Sequence, residues 1–341
     1  MNPAETTRLA AARAGNQHEF SQLTEPYRRE LQLHCYRMLG SLHDAEDLVQ
    51  ETLLRAWRRL DTFEGRASLR AWLYKIATNA CLDALKKRPR RALPMTVYPA
   101  ADAREPYLPP ILEPVWLEPF PDELLPEPAI LNPEARYAMY EHVKLAFLTA
   151  LQLLPPRQRA VLILRDVLDW RASEVAELLE MTVSAVNSAL HRARTTLAKQ
   201  YPKSKTLLAS RPTDDTTRTL LNQFVQAWEA ADVTGLTALL KEDATLMMPP
   251  SPSWYQGRAS VSHFLAVNVF AGETRGRWRL QPTRANSQPA CGVYLWDEAS
   301  GAYQAHGIQV LTVEKAQIST LTAFLNPAIL PYFGLPQALK A

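Results

Sequence analysis

Apolar positions follow two rhythms along this chain, and the rhythm changes near Asp214. Before that point they recur three and four residues apart, the spacing of helices with one buried face. His18 to Leu39 is amphipathic. Asp44 to Leu60 carries Ala45, Leu48, Val49, Thr52, Leu53 and Ala56 along one stripe, and Ser68 to Lys87 turns Leu69, Leu73, Ile76, Ala77 and Ala80 inward. After a proline-rich break, Glu134 to Leu154 is helical again. Pro155 and Pro156 stop that helix and start Arg157 to Val167, because proline is tolerated only in a helix's first turn. Beyond Asp214, helices over Thr216–Ala231, Val233–Leu240 and Arg258–Phe270 precede strand-like runs at Arg277–Arg284, Ala290–Trp296, Tyr303–Val313 and Gln317–Phe324. Turns at Asp297–Gly301 and Glu314–Ala316 join the later runs, and residues 328–341 read as a tail that folds back. Helices followed by a meander predict an α+β domain with a curved antiparallel sheet.

The stretch from Asp169 to Lys199 reads as helix, tight turn, helix. On the second helix Val183, Val186, Ala189, Leu190, Ala193 and Leu197 fall on one side, able to pack on Val175, Ala176 and Leu179 of the first. Ser184, Asn187, Ser188, His191, Arg192 and Thr195 fall on the other. Thr182 is placed to cap the second helix. A helix-turn-helix lays its second helix in the DNA major groove, where such donors and acceptors meet base edges and phosphates. The same pattern also describes an ordinary amphipathic hairpin with a wetted polar face. Glu180 stands where a left-handed glycine often makes the turn.

Charge sharpens the picture. The net +3 conceals blocks: residues 1–91 hold 16 Lys/Arg against 11 Asp/Glu, residues 92–137 hold 2 against 8, residues 138–211 hold 11 against 6, and residues 212–341 hold 9 against 10. Two basic blocks around an acidic one suggest two nucleic-acid-facing modules and a tether that repels DNA. The basic run Lys86, Lys87, Arg88, Arg90 and Arg91 is either a solvated helix end or a phosphate neighbour.

Residues 92–137 contain eleven of the 26 prolines, which excludes a regular helix or sheet interior. They also contain Tyr107, Leu108, Ile111, Leu112, Val115, Trp116, Leu117, Phe120, Leu124 and Leu125, more apolar surface than a solvated spacer needs. Part of this segment is therefore expected to dock on a domain or in a partner's channel; the alternative is a loose spacer.

Apolar residues make up 47% of the chain, ample for two or three packed domains, with no run of membrane-spanning length and no signal-peptide core at the N-terminus. Cys35, Cys81 and Cys291 lie far apart, as small buried residues of a reducing cytoplasm do. His34 beside Cys35, with His43 nearby, has no second ligand pair at zinc spacing, so neither metal nor cofactor is expected.

With these segments in place, the first 200 residues resemble a group IV (extracytoplasmic-function) sigma factor of bacterial RNA polymerase. DAEDLVQETLLRAW, Asp44 to Trp57, resembles the polymerase-binding helix; FEGRASLRAWLYKIATNACLDALKKR, Phe63 to Arg88, resembles the segment that opens and reads the −10 element; LPPRQRAVLILRDVLDWRASEVAELLEMTVSAVNSALHRAR, Leu154 to Arg194, resembles the reader of the −35 element. The resemblance implies polymerase binding by Asp44, Asp47, Gln50 and Glu51. It implies −10 contacts by Arg66, Ser68, Arg70, Lys75, Asn79 and Asp83, and −35 contacts by Ser184, Asn187, Ser188, His191, Arg192 and Thr195. Residues 215–336 resemble the SnoaL-like branch of the nuclear transport factor 2 superfamily, carried by LMMPPSPSWYQGRASVSHFL, Leu246 to Leu265. Trp228, Asp243, Trp254, Tyr255 and His306 are its candidate pocket residues.

The expected organisation is sigma region 2 over 1–91, an acidic Pro-rich linker over 92–137, sigma region 4 over 138–202, a hinge over 203–214 and a SnoaL-like cone over 215–336. The expected fold is two all-α sigma domains followed by that α+β cone. The expected protein is a cytoplasmic initiation factor and not an enzyme. Its partners would be core RNA polymerase, promoter DNA and a small-molecule ligand of the C-terminal domain, with no membrane. The alternatives are a stand-alone helix-turn-helix repressor, or a bifunctional protein with an enzymatic C-terminal domain.

Overall fold

A computed structural model describes residues 3–65, 67–87, 89–111, 115–126, 138–200, 214–272 and 276–340. The chain divides into two compact units. One joins Met1–Arg91 to Leu124–Pro202; the other joins Ala92–Glu123 to Lys203–Ala341.

The first unit is helical. It comprises α1 (Pro3–Arg13), α2 (Gln17–Thr24), α3 (Arg28–Leu39), α4 (Leu42–Arg58), α5 (Leu69–Lys87), α6 (Leu145–Gln152), α7 (Pro156–Leu162), α8 (Ala172–Leu179) and α9 (Val183–Gln200). The single helix expected over 18–39 is two, separated by a 3-10 turn at Glu25–Tyr27. Pro26 has no N–H for the helix ladder, so the break is local chemistry. Gly40, left-handed at φ 72°, ends α3, and Ser41 Oγ accepts from Asp44 N at 3.1 Å to start α4. The core of this unit includes Leu31, Tyr36, Met38, Leu42, Ala45, Leu73, Tyr74 and Ala77.

Charged side chains lie inside this core, Arg37 and Arg159 among them. Arg159 of α7 is almost wholly buried, donating to Met38 O of α3, to Gln152 Oε1 at 2.6 Å, to Gln152 O at 3.0 Å and to Leu154 O at 3.2 Å. Burial depresses its pKa to about 10, still well above neutral pH. A buried cation is tolerable only when hydrogen bonded in this way. These bonds tie α7 to α3 across more than 100 residues of sequence.

The second unit is built on one sheet: β1 (Leu240–Met247), β2 (Trp254–Gln256), β3 (Trp278–Ala285), β4 (Gln288–Asp297), β5 (Ala302–Glu314), β6 (Gln317–Phe324) and β7 (Ala338–Lys340). The strand order is β2-β1-β6-β5-β4-β3, with β7 added on β5. Helices α10 (Asp214–Glu229), α11 (Val233–Leu239) and α12 (Arg258–Phe264) supply Phe224, Trp228, Leu236 and Phe264 to a core shared with Leu246, Trp278, Val293 and Leu321 of the sheet.

The expected cone of curved antiparallel sheet is corrected here. The sheet is an open path from β2 to β3, and it is mixed, because β1 runs parallel to β6. The meander β3 to β6 follows from its hairpin turns. The run Lys241–Asp243 hides the alternation that makes β1 a strand, and pairing with β6, some 75 residues later, leaves no local mark. The 328–341 tail forms a 3-10 helix, Pro327–Phe333, and then β7.

Residues of the proline-rich segment lie on this second unit. Trp254 Nε1 donates to Tyr98 O at 2.9 Å and Ala101 N to Trp254 O at 2.8 Å. Leu108 N donates to Ser253 Oγ at 2.9 Å, Ser251 Oγ to Leu108 O at 2.8 Å and Ile111 N to Pro250 O at 3.0 Å. Farther along, Phe120 N donates to Asn286 Oδ1 at 2.9 Å and Asn286 N to Phe120 O at 2.8 Å. Asp122 pairs with Arg284 at 2.9 Å and accepts from Ser287 N at 2.7 Å. Leu117 and Phe120 are fully buried. The segment is therefore a strap seated on the β3–β4 turn and the Pro249–Trp254 loop, which explains its apolar content.

Candidate polymerase and promoter interfaces

Helix α4 buries Leu42, Ala45, Leu48, Val49, Thr52 and Ala56, and so turns its acidic face outward. Asp47 and Gln50 are exposed; Glu51 is half-buried and pairs with Arg55 at 2.5 Å. Asp44 stands apart from them. It is mostly covered and held by Arg91 at 2.8 Å, which anchors the end of the basic run to the start of α4.

The residues assigned to the −10 element diverge in setting. Arg66 lies outside the described residues. Ser68 Oγ accepts from Ala71 N at 3.1 Å and caps α5. Asn79 and Asp83 are exposed, the latter 2.8 Å from Lys86, which lowers its pKa. Arg70 is held within the unit. Its guanidinium meets Glu30 Oε2 at 2.7 Å, lies 4.9 Å from the Tyr74 ring and 5.9 Å from the Trp170 ring. Tyr74 and Trp170 are themselves 5.3 Å apart. Lys75 meets Glu180, in the turn of the helix-turn-helix, at 3.5 Å. In this conformation one face of α5 is thus covered by α8 and the residues before it. Sequence reasoning missed Glu30, Tyr74 and Trp170; only an unassigned tryptophan in the DWR run hinted at them.

Helix α9 has the geometry of a recognition helix. Glu180 adopts the left-handed turn at φ 54°, and Thr182 Oγ1 accepts from Ala185 N at 3.1 Å. Val186, Ala189, Leu190 and Ala193 are buried, whereas Val183, expected inward, is 45% exposed. Ser184, Asn187, Ser188, His191, Arg192 and Thr195 are all exposed. The first five line one shallow concavity with Val183. Thr195 Oγ1 donates to His191 O at 3.0 Å, so it faces back along the helix. Arg194 grips Asp166 through two bonds of 2.6 and 2.8 Å, fixing α9 against the preceding segment. Such a surface offers amide, hydroxyl, imidazole and guanidinium groups at helical spacing, the chemistry of base-edge and phosphate contact.

The second unit encloses a largely apolar cavity of about 270 Å³. Trp228 and His306 line it. Burial lowers the pKa of His306, so its imidazole is neutral at neutral pH. Asp243 is exposed beside Lys241 at 3.4 Å, and the Trp254 indole is bonded to the strap. Tyr255 is buried against Phe264 at 4.4 Å, and burial raises its pKa. None of these three lines the cavity. Trp278 and Tyr107 do, and neither was singled out for it, because the strand register and the docked strap bring them there.

An outward acidic face on α4 and an exposed polar face on α9 lie on the same chain as the SnoaL-like unit, and the comparisons with known proteins place them in a family. Residues 23–91 match Sigma-70 region 2, residues 144–197 match Sigma-70 region 4, and residues 221–320 match the SnoaL-like domain. The ECF RNA polymerase sigma factor SigG of Mycobacterium tuberculosis is 45% identical over 322 residues, 94% of this chain and 85% of that protein. SigJ of the same organism is 30% identical over 226 residues, 65% of this chain and 62% of that protein. The crystal structure of M. tuberculosis SigJ shares the fold, with a TM-score of 0.56 at 20% identity, covering 93% of this chain and 99% of that one. The chain belongs to the extracytoplasmic-function RNA polymerase sigma factors, in the form that carries a fused C-terminal SnoaL-like domain.

It directs RNA polymerase to promoters and binds both the core enzyme and promoter DNA. The expectation that the chain is no enzyme is overturned: residues 221–320 match the SnoaL-like domain, a fold family that includes enzymes. No helix among the described residues is long and apolar enough to cross a membrane.

Proposed function

We propose that this sigma factor works in the cytoplasm and is regulated through its own strap, the SnoaL-like domain acting on the segment that joins the two promoter-reading modules. The observation that carries this reading is the seating of Leu108 and of Phe120 on the C-terminal unit, each by hydrogen bonds, with Phe120 fully buried. Asp47, Gln50 and Glu51 meet basic groups of the core enzyme, with Asp44 supporting the helix. Arg66, Ser68, Arg70, Lys75, Asn79 and Asp83 handle the melted −10 strand. Ser184, Asn187, Ser188, His191, Arg192 and Thr195 read the duplex −35 element. The working divisions are region 2 over 1–91, linker over 92–137, region 4 over 138–202, hinge over 203–214 and regulatory domain over 215–336. A small molecule in the C-terminal cavity shifts the balance.

Run-off transcription with core polymerase tests this. Full-length protein is expected to give promoter-specific transcript, and deletion of residues 212–341 to change its amount without abolishing DNA recognition. Equal transcription from both forms would remove the regulatory reading. Duplex binding without any transcript over a broad promoter library would favour a repressor.

A further inference from the structure

Two large apolar side chains stand exposed among the described residues of the first unit, Leu54 and Val183. Single exposed apolar residues are ordinary, but these two lie on α4 and α9, the helices assigned to polymerase and to the −35 element. Val183 is the sharper case. It is the first residue of α9 and lines one concavity with Ser184, Asn187, Ser188, His191 and Arg192. Among the described residues on that lining, Val183 alone is apolar.

The helix holds it at a seam between core and solvent. At roughly 100° per residue, Val183 stands about 60° from Val186 and about 40° from Asn187. Val186 is fully buried and Asn187 is exposed, whereas Val183, one turn earlier, is 45% exposed. The first turn is fully formed: Thr182 Oγ1 accepts from Ala185 N at 3.1 Å, and Thr182 O from Val186 N at 3.0 Å. A β-branched side chain on a formed helical turn is held near one χ1 rotamer. Its two methyl groups are therefore presented in a fixed direction, at the end of the helix that a helix-turn-helix points at base edges.

The chemistry of the groove narrows what those methyl groups meet. Base edges in the major groove are donors and acceptors, with one apolar group among them, the C5-methyl of thymine. A valine set against an amino or carbonyl edge displaces water from it and returns no hydrogen bond, which is costly. Set against the methyl, it buries apolar area on both sides without that cost.

We infer that Val183 reads a thymine in the −35 element by packing its methyl groups against the C5-methyl. This rests on the assignment of α9 to that element and adds an apolar contact to its polar ones. Val183 thereby distinguishes thymine from cytosine, which lacks the methyl and carries an amino donor on the same edge.

The test removes the methyl and leaves the base pair. In a promoter that the full-length protein transcribes with core polymerase, each thymine of the −35 element, on either strand, is replaced singly by deoxyuridine. Run-off transcription is measured at limiting protein. One replacement should lower wild-type initiation about three- to fivefold, the worth of one buried methyl. Val183→Ala should lose a similar factor on the thymine template and nothing further on the deoxyuridine one, while Val183→Ile keeps the discrimination. Alanine is the better helix former, so the variant keeps α9 intact. Equal losses for Val183→Ala on both templates, or discrimination that survives it, overturn the inference, as does a wild type indifferent to every replacement. Whole base-pair substitutions judge the assignment of α9 separately. If these change initiation while deoxyuridine does not, α9 reads the element without Val183; if neither does, the assignment itself falls.

Discussion

Replacing Asn286 by glycine removes a side-chain contact that holds the strap. Asn286 and Ser287 form the β3–β4 turn with φ values of 55° and 58°. Glycine adopts that conformation without steric cost, so the hairpin is kept while the side-chain amide is removed. The bond lost is Phe120 N to Asn286 Oδ1, at 2.9 Å in a buried site; the backbone bond from Asn286 N to Phe120 O remains. A buried N–H deprived of its acceptor costs about 1–3 kcal/mol. Glycine's added unfolded-state entropy falls equally on seated and unseated forms of the folded domain, so it leaves the seating equilibrium alone. Seating should therefore weaken about 5- to 150-fold. Hydrogen exchange of the full-length protein, followed by mass spectrometry, is the assay. Peptides across 115–123 should exchange faster by that factor, while peptides from β4 and β5 keep their protection. Run-off transcription in parallel then reads the effect of a looser strap. Unchanged exchange at Phe120, or equal acceleration throughout β4 and β5, would refute the reasoning.

Other consequences are open to measurement. Asn187→Ala should relax base preference at one position of the −35 element by about 1–3 kcal/mol, read from transcription of base-substituted promoters; equal losses on every template would argue against base readout. Arg192→Ala should weaken promoter binding and change its salt dependence by about one unit of slope if that side chain meets a phosphate. His34 is fully buried, its Nε2 2.9 Å from Thr78 Oγ1, and burial, with the charges of Arg37 and Arg70, lowers its pKa to about 3. The unfolded chain then binds a proton that the folded one refuses. Stability contributed by neutral His34 is full above pH 6.5 and falls toward pH 3, by about 5 kcal/mol at most. Urea unfolding of His34→Gln should show a correspondingly flatter acid limb, and identical limbs would discount the residue. Trp170→Ala should cost the first unit about 3–5 kcal/mol on urea unfolding, since a buried ring is lost beside Tyr74 and Arg70.

What could be read from the sequence was local. Helices α4, α5 and α9 declare themselves by period and, for α9, by the cap at Thr182, and the β3–β6 meander by its turns. Pro26 was a visible break that amphipathicity overrode. Longer-range facts carried no such signal. That Arg70 lies on α5 follows from its helix, but Glu30, 40 residues earlier, decides what it touches in this conformation. Trp228 and His306 share a cavity only because the strand register sets Trp278 beside them and the strap brings Tyr107 across. The strap's apolar residues showed that it must dock, not where, because Asn286 and Asp122 are ordinary polar residues until 160 positions of chain are folded between them.

The interleaving of the two units also sets an order in time. The strap leaves the ribosome after residue 123, but its seat is complete only when β6 has been made, near residue 324. At about 5–20 residues per second, that is a delay of roughly 10–40 s. During it the second promoter-reading module is synthesised after the first, while the strap has nowhere to sit. On the proposed regulation, a newborn molecule passes through an ungoverned youth, and control arrives with the last third of translation.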